Sequence, residues 1–222
     1  MLDQLRIGDK YSYDDFLASV AERKIGKPKK KEIKETVPYS NKTHDFSKIN
    51  GEIYWEEREL EYILELDADT PEEVEELKIP LSAWLMNVMN EDLYDPFIED
   101  YHFKATFKDI DFDDSEIEKT TATVKFTAYP YMLANDKKVY SVEISADEAL
   151  TVTVKNISSH RITPTFNCSV PFILTVDGSS YSLPSGEITS EAIMLEPGTN
   201  TVKVKSTSGS GTLIISYREE VF

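Results

Sequence analysis

The sequence is poor in the residues that most often carry chemistry. Its 222 residues include one cysteine, Cys168, and three histidines, His44, His102 and His160. A lone cysteine closes no internal disulfide and makes no metal site. No second histidine stands at ligand spacing from any of the three, and no His-Glu-x-x-His occurs. Glycine numbers only 8, with no Gly-x-Ser-x-Gly nucleophile turn and no phosphate-cradling loop. Ser208-Gly209-Ser210-Gly211 joins two strand-like runs without a helix after it, so it reads as a hairpin. Carboxylates abound, but the pattern singles out no pair at glycosidase spacing. The chain therefore reads as a non-enzyme with no cofactor, no metal and no catalytic residue.

Long apolar runs are missing too. None approaches the ~18 residues of a membrane helix, and the opening MLDQLRIGDK lacks the apolar core of a signal peptide. Both point to a cytoplasm-like setting and to no membrane partner. Cations are in deficit, 24 Lys and Arg against 41 Asp and Glu, for a net charge of −17. The deficit is local: residues 52–118 hold 4 basic and 23 acidic side chains, whereas residues 1–51 hold 11 and 8. A block this negative repels phosphate, which argues against direct nucleic-acid binding there. Two readings stand for it: a solvated face that aids solubility, or a negative lining past which DNA slides. The basic cluster Lys27, Lys29, Lys30 and Lys31 lacks the interleaved aromatics and the length of a nucleic-acid patch and reads as a solvated loop or a Lys-guarded edge strand.

What the chain does have is β-periodicity. Leu60, Tyr62, Leu64 and Leu66 alternate with Glu59, Glu61, Ile63 and Glu65, which places the two sets on opposite faces of a strand. Tyr101 to Phe107 and Thr121 to Ala128 alternate likewise. Between them DIDFDDSEIEK reads as a polar hairpin tip; a calcium loop would need a central Gly and flanking helices. Phe16, Leu17 and Val20 allow a short helix or turn near the start, and Ile33 and Val37 suggest a strand ending at Pro38. Thr70, Pro71 and Glu73 form a helix start. Pro80 should break or kink that helix. Beyond it Leu81, Trp84, Leu85, Val88 and Met89 make one apolar helical stripe, a core face.

The composition shifts near AYPYML, giving an expected boundary between domains at 1–131 and 132–222. The second is almost purely β, with strands expected at 139–145, 149–155, 162–167, 172–176, 180–183, 191–195, 200–206 and 212–218. Turn signals such as Asp177-Gly178 and Pro197-Gly198 separate them. Short strands at this spacing indicate a two-sheet sandwich.

The order of several segments resembles one family. IGDKYSYDDF near the start, then Asp45, Gly51, Tyr54 and the Glu57-Arg58-Glu59 run, then SAWLMNVMN, then a strand ending at Pro130-Tyr131, is similar to the N-terminal domain of the distal tail (Dit) proteins of siphophage and prophage tail tips. The family loop often has a Gly-Arg-Asp-Gly character, whereas here it is SNKTHDFSKING, with one glycine. The later run of hairpins closing on Ser216-Tyr217-Arg218 resembles that family's galectin- or carbohydrate-module-like sandwich. The resemblance implies a mainly β fold: an N-terminal ring-forming domain with one or two short helices packed on a sheet, and a C-terminal sandwich that projects outward.

It further implies self-association into a ring, six-fold in the family. The tail tube protein, a tail-associated fibre or lysin protein and the tape measure would be partners, and DNA would pass without specific binding. The place would be the virion tail tip, assembled in the bacterial cytoplasm. Unpaired strand edges recruit neighbours, so the strands around 32–38 and 53–66 become the expected self-contacts, through Ile33, Val37, Trp55, Arg58 and Glu59. A second class stays open: a module binding host surface glycan, with Tyr140, Tyr181, Arg161 and Asn167 as sugar contacts.

Overall fold

Every second residue from Leu60 to Leu66 is apolar, and the computed structural model of the chain buries each one to 4% exposure or less. The structure describes the chain apart from residues 1, 2, 37, 40, 49, 50, 52, 69, 117, 118 and 147, and apart from the side chains of 114–116 and 119. Residues 1–132 with Phe222 form one compact unit and residues 133–221 another.

The first unit contains β1 (Arg6–Ile7), β2 (Lys10–Tyr11), β3 (Ala18–Ile25), β4 (Lys34–Thr36), β5 (Thr43–Asp45), β6 (Arg58–Leu66), α1 (Pro71–Met86), β7 (Glu91–Tyr94), β8 (Tyr101–Glu116) and β9 (Lys119–Ala128). Its sheet runs in the order β3-β6-β9-β8-β7-β1-β2, with antiparallel neighbours. The segment read as a helix or turn near the start is a turn that leads into β3; Ala18 and Val20 enter the core as a strand.

Two strands change phase to keep their apolar side inward. Between Val20 and Glu22 in β3, and between Phe107 and Asp109 in β8, the register shifts by a bulge. An extra residue in one strand flips the alternation beyond it. In β8 the consequence is large. Phe103 and Ala105 are buried before the bulge, and Ile110 and Phe112 pack on the same core after it, with Asp109, Asp111 and Asp113 outward. The acid run expected as a hairpin tip is thus mostly strand.

α1 begins as its residues dictate. The Thr70 hydroxyl accepts from the Glu73 N–H at 3.3 Å, and Pro71 opens the first turn. It does not stop at Pro80. One helix runs through to Met86 in place of the expected break. Pro80 is exposed, so the carbonyl freed one turn earlier meets water, which lowers the cost of the missing N–H bond. Leu81, Leu85 and Val88 are buried, and Trp84 stacks on Phe16 at 4.7 Å. Met89 leaves the stripe, 76% exposed, because the helix has already ended at the Asn87 cap.

The outward face of the sheet carries a row of alternating charge. Lys24 pairs with Glu61, Glu61 with Lys125, and Lys125 with Asp109, each directly across neighbouring strands. Lys24 Nζ donates to Glu61 Oε1 at 2.7 Å. That bond holds the Glu61 carboxyl below its ordinary value and the Lys24 ammonium above its own. Further along the same face come Glu22, Ile63, Thr123 and Asp111, then Ser19, Glu65, Thr121 and Asp113. The Lys24 row alternates in sign; the two beyond it hold the carboxylates of Glu22, Asp111, Glu65 and Asp113.

The second unit is a sandwich. One sheet orders β15 (Gly186–Thr189), β12 (Thr165–Cys168), β17 (Gly211–Val221) and β10 (Met132–Ile144). The other orders β11 (Ala149–Asn156), β16 (Gly198–Ser206), β13 (Phe172–Val176) and β14 (Ser179–Leu183). Between them lie Phe166, Phe172, Leu174, Val202, Val204, Leu213 and Ile215, none above 1% exposure. Asp177 and Gly178, at φ 48° and 81°, make the tight turn from β13 to β14. The strand expected at 191–195 is a turn instead; Ile193 and Leu195 are buried, and only Leu195 bridges, to Ile162. The strand lies earlier, at β15, after Gly186 at φ 108°.

Two outcomes are expected of the first unit. At Gly26 an added Cβ would lie 2.6 Å from the Glu59 carbonyl oxygen, a backbone atom that cannot swing away. Gly26→Ala should cost about 1–3 kcal/mol, read as a lower urea midpoint. The second concerns acid. A carboxylate depressed on folding stabilises above its unfolded pKa, and that help is lost as pH falls through the folded value. Glu61→Gln should therefore narrow the drop in urea midpoint between about pH 6 and about pH 3. An equal drop in both proteins would mean that the Lys24–Glu61 pair adds nothing.

Candidate functional site

Beyond β3 and β6 the chain continues as a two-stranded arm. The Gly26 N–H donates to the Glu59 carbonyl at 2.8 Å, Glu56 N–H to Lys29 at 2.8 Å and Lys31 N–H to Tyr54 at 2.8 Å; Lys30 and Trp55 form a bridge. Further out, Phe46 N–H donates to the Ile33 carbonyl, the Ile33 N–H to Ser47 Oγ, and β4 pairs with β5.

The arm has strand hydrogen bonds without a core. All the residues of β4 and β5 are exposed, as are Ile33, Phe46, Ile53 and Tyr54. A two-stranded ribbon alone in water is marginal, because pairing without a buried face does not offset the lost backbone entropy. Its charge opposes that of its own unit. Residues 27–48 hold seven lysines and three carboxylates, against 4 basic and 23 acidic side chains over 52–118. Lys34 is partly neutralised by Glu32 at 2.6 Å.

The residues expected to make self-contacts fall in different places. Ile33 is exposed on the arm, 43% accessible, and Glu59 is exposed at its root, 3.6 Å from Lys108. Val37 lies outside the described residues. Trp55 is half-buried, edge-on to Phe222 at 4.7 Å. Arg58 does not reach the surface: it is 3% exposed, and its Nε and Nη2 both donate to the Pro130 carbonyl, at 2.8 and 2.5 Å. Sequence reasoning missed the exposed Phe46 and Tyr54 as companions of Ile33. The apolar–polar alternation of Ile53 and Tyr54 is too short to be read from sequence alone.

The residues expected to touch sugar are not gathered. Tyr140, on β10, stacks on Tyr217 at 6.2 Å, and its hydroxyl accepts from the Lys155 N–H at 3.3 Å. Burial, then the Tyr140 hydroxyl, pushes the Tyr217 phenol up, and its own proton goes to the Lys155 carbonyl. Tyr181 packs on the sandwich core from the opposite sheet. Asn167 points outward from β12 between Glu187 and Ile214, and Arg161 is tied to Glu196 at 2.7 Å. Among the described residues no group of three or more His, Cys, Asp or Glu is arranged to hold a metal ion, and no helix is long and apolar enough to cross a membrane.

No protein-family model matches the sequence, and no curated protein matches it. Solved structures do. The crystal structure of the SPP1 Dit protein (gp 19.1), described as a paradigm of the hub adsorption apparatus in phages infecting Gram-positive hosts, aligns with a TM-score of 0.69 at 15% identity. The alignment covers 98% of this chain and 99% of that one. Two structures of the phage P2 baseplate in its activated conformation, with Ca and with Sr, align at TM-scores of 0.45 and 0.43, each at 8% identity over 97% of this chain and 98% of that one. Likeness at that level adds nothing further. From end to end, this chain has the fold of the SPP1 Dit protein.

Proposed function

We propose that the chain is a structural component of a phage or prophage tail tip, a distal tail protein whose copies close into a ring between the tail tube and the tail-associated fibre or lysin protein. The observation that carries this reading is the end-to-end match in fold to SPP1 Dit. The role is mechanical rather than catalytic, and its place is the virion tail tip after assembly in the bacterial cytoplasm. Residues 1–131 act as the ring-forming domain. Residues 132–222 form a galectin- or carbohydrate-module-like sandwich in a structural role. The tape measure and DNA thread the ring.

The arm supports the ring reading in physical terms. It is a basic ribbon with exposed Ile33, Phe46 and Tyr54 and no core of its own. It completes itself by lying on a neighbouring copy, whose first unit is rich in acid. Ile33, Val37, Trp55 and Glu59 are the proposed contacts, and Arg58 fixes the root of the arm from within. The acidic rows of the sheet face, Glu22, Glu65, Asp111 and Asp113, are the proposed lining of the channel, where negative charge keeps DNA from adhering.

Deleting residues 27–38 should leave a folded monomer that no longer forms rings, as judged by light scattering and negative-stain microscopy. Rings that persist in the deletion would rule the arm out as the joint. For the lining, a Glu22→Gln, Glu65→Gln, Asp111→Asn and Asp113→Asn variant should slow DNA ejection from assembled particles and raise DNA retention. Unchanged ejection would return those rows to a purely solvating role.

A further inference from the structure

Arg58 is a buried cation without an anion. Among the described residues no carboxylate pairs with it. Its protein contacts are the Pro130 carbonyl, shared by Nε and Nη2, and the Phe103 ring, 5.5 Å from its guanidinium carbon. Nη1 takes no described acceptor and is open to solvent. Burial alone lowers its pKa. A buried charge without a counter-charge is costly unless geometry and further hydrogen bonds offset it. The chain has 41 carboxylates to draw on, yet none of the described ones stands at this position.

That position opens on a cleft. A cavity of about 620 Å³ is lined by Arg58 with Lys27, Trp55, Phe97, Ile98 and Phe222 among others, all of the first unit. Arg58 is its one buried lining residue. Among the described residues the only ionisable side chains on its walls are Lys27 and Arg58, both cationic. Within a first unit dominated by acid, an apolar cleft whose ionisable side chains are both cationic is chemically selective. It suits an apolar body with a carboxylate attached. A guanidinium binds a carboxylate in a planar, directional way that an ammonium does not. The cleft is open along Lys27 and the 78%-exposed Phe97, which suits a stretch of chain better than an enclosed metabolite.

We propose that this cleft is a docking site for an acidic–apolar peptide segment of another protein, which seats an apolar side chain against Trp55 and Phe97 and sets a carboxylate on Arg58. Lys27 adds attraction at the rim. The cleft lies at the root of the arm and shares Trp55 and Lys27 with it, so peptide binding and ring formation are read by separate measurements.

The test uses the full chain and two blocked peptides, acetyl-Ala-Phe-Glu-Ala-amide and its Gln twin, with the indole N–H resonances of Trp55 and Trp84 as the readout. The Glu peptide should shift Trp55 while leaving Trp84 unmoved, and should bind at least tenfold more tightly than the Gln peptide. Arg58→Met should abolish that preference with the Trp84 signal intact. Lys27→Gln, on the exposed rim, should weaken the Glu peptide two- to fivefold and the Gln peptide not at all, a readout that stands even where Arg58→Met fails to fold. Equal binding of the two peptides, no binding of either, or a preference that survives both substitutions would overturn the proposal. So would binding of N-acetylphenylalanine in the absence of peptide binding, since the site would then serve a small carboxylate.

Discussion

The register of β6 against β3 and β9 is the constraint on which the first unit rests. Leu60, Tyr62, Leu64 and Leu66 face one side, and Glu59, Glu61 and Glu65 the other. A slip of one residue would exchange the two sets. Four large apolar side chains would enter water, at roughly 2 kcal/mol or more each, and three carboxylates would enter the core. That sum rivals the whole stability of a typical domain. The sheet therefore has one acceptable alignment, and the Lys24–Glu61–Lys125–Asp109 row is what that alignment produces on the outer face.

The same constraint explains which parts of the fold are legible in the sequence. Strands with an unbroken two-residue period, such as β6 and β9, can be read directly. So can the Asp177-Gly178 hairpin, because its backbone needs residues that tolerate positive φ. The bulges cannot be read so easily. At Lys108 the period breaks, and an acid-rich run beyond it looks like a loop until Ile110 and Phe112 are counted in the new phase. Pro80 misleads in the opposite way. Its local penalty is real, yet the buried stripe of Leu81 and Leu85 continues the helix through it, and tertiary packing outweighs propensity. The run at 191–195 is apolar because Ile193 and Leu195 fill the sandwich core from a turn, and composition alone does not separate that from a strand.

The candidate surface is legible to a lesser degree. Lysines crowded at 27–31 announce an exposed segment, and the structure makes that segment one side of the arm. Arg58 is expected at a self-contact, and the structure buries it instead. Its direction is set by the strand's phase: it shares the parity of Leu60 and Tyr62 and so turns inward with them. The four candidate sugar contacts stand out by residue type, and type says nothing about which sheet or face a side chain joins.

Two features of the first unit run against the usual economy of a folded chain. The arm keeps its ladder bonds but buries no face, and Arg58 is desolvated without a counter-charge. Natural sequences tend to make local choices agree with the global fold, and departures concentrate where function asks for them. Here the departures are complementary in kind. The arm offers basic and apolar groups outward, and the cleft at its root offers basic and apolar groups inward, in a unit that is acid-rich over residues 52–118. Each would gain most from contact with something acidic and apolar. A neighbouring copy meets that description for the arm, since acid-rich strands and an exposed apolar helix face belong to the same unit. The cleft, at about 620 Å³, is of a size for a short segment. On the two proposals, the same charge pattern serves two joints of different size, one for assembling copies and the other for holding a segment of a different chain.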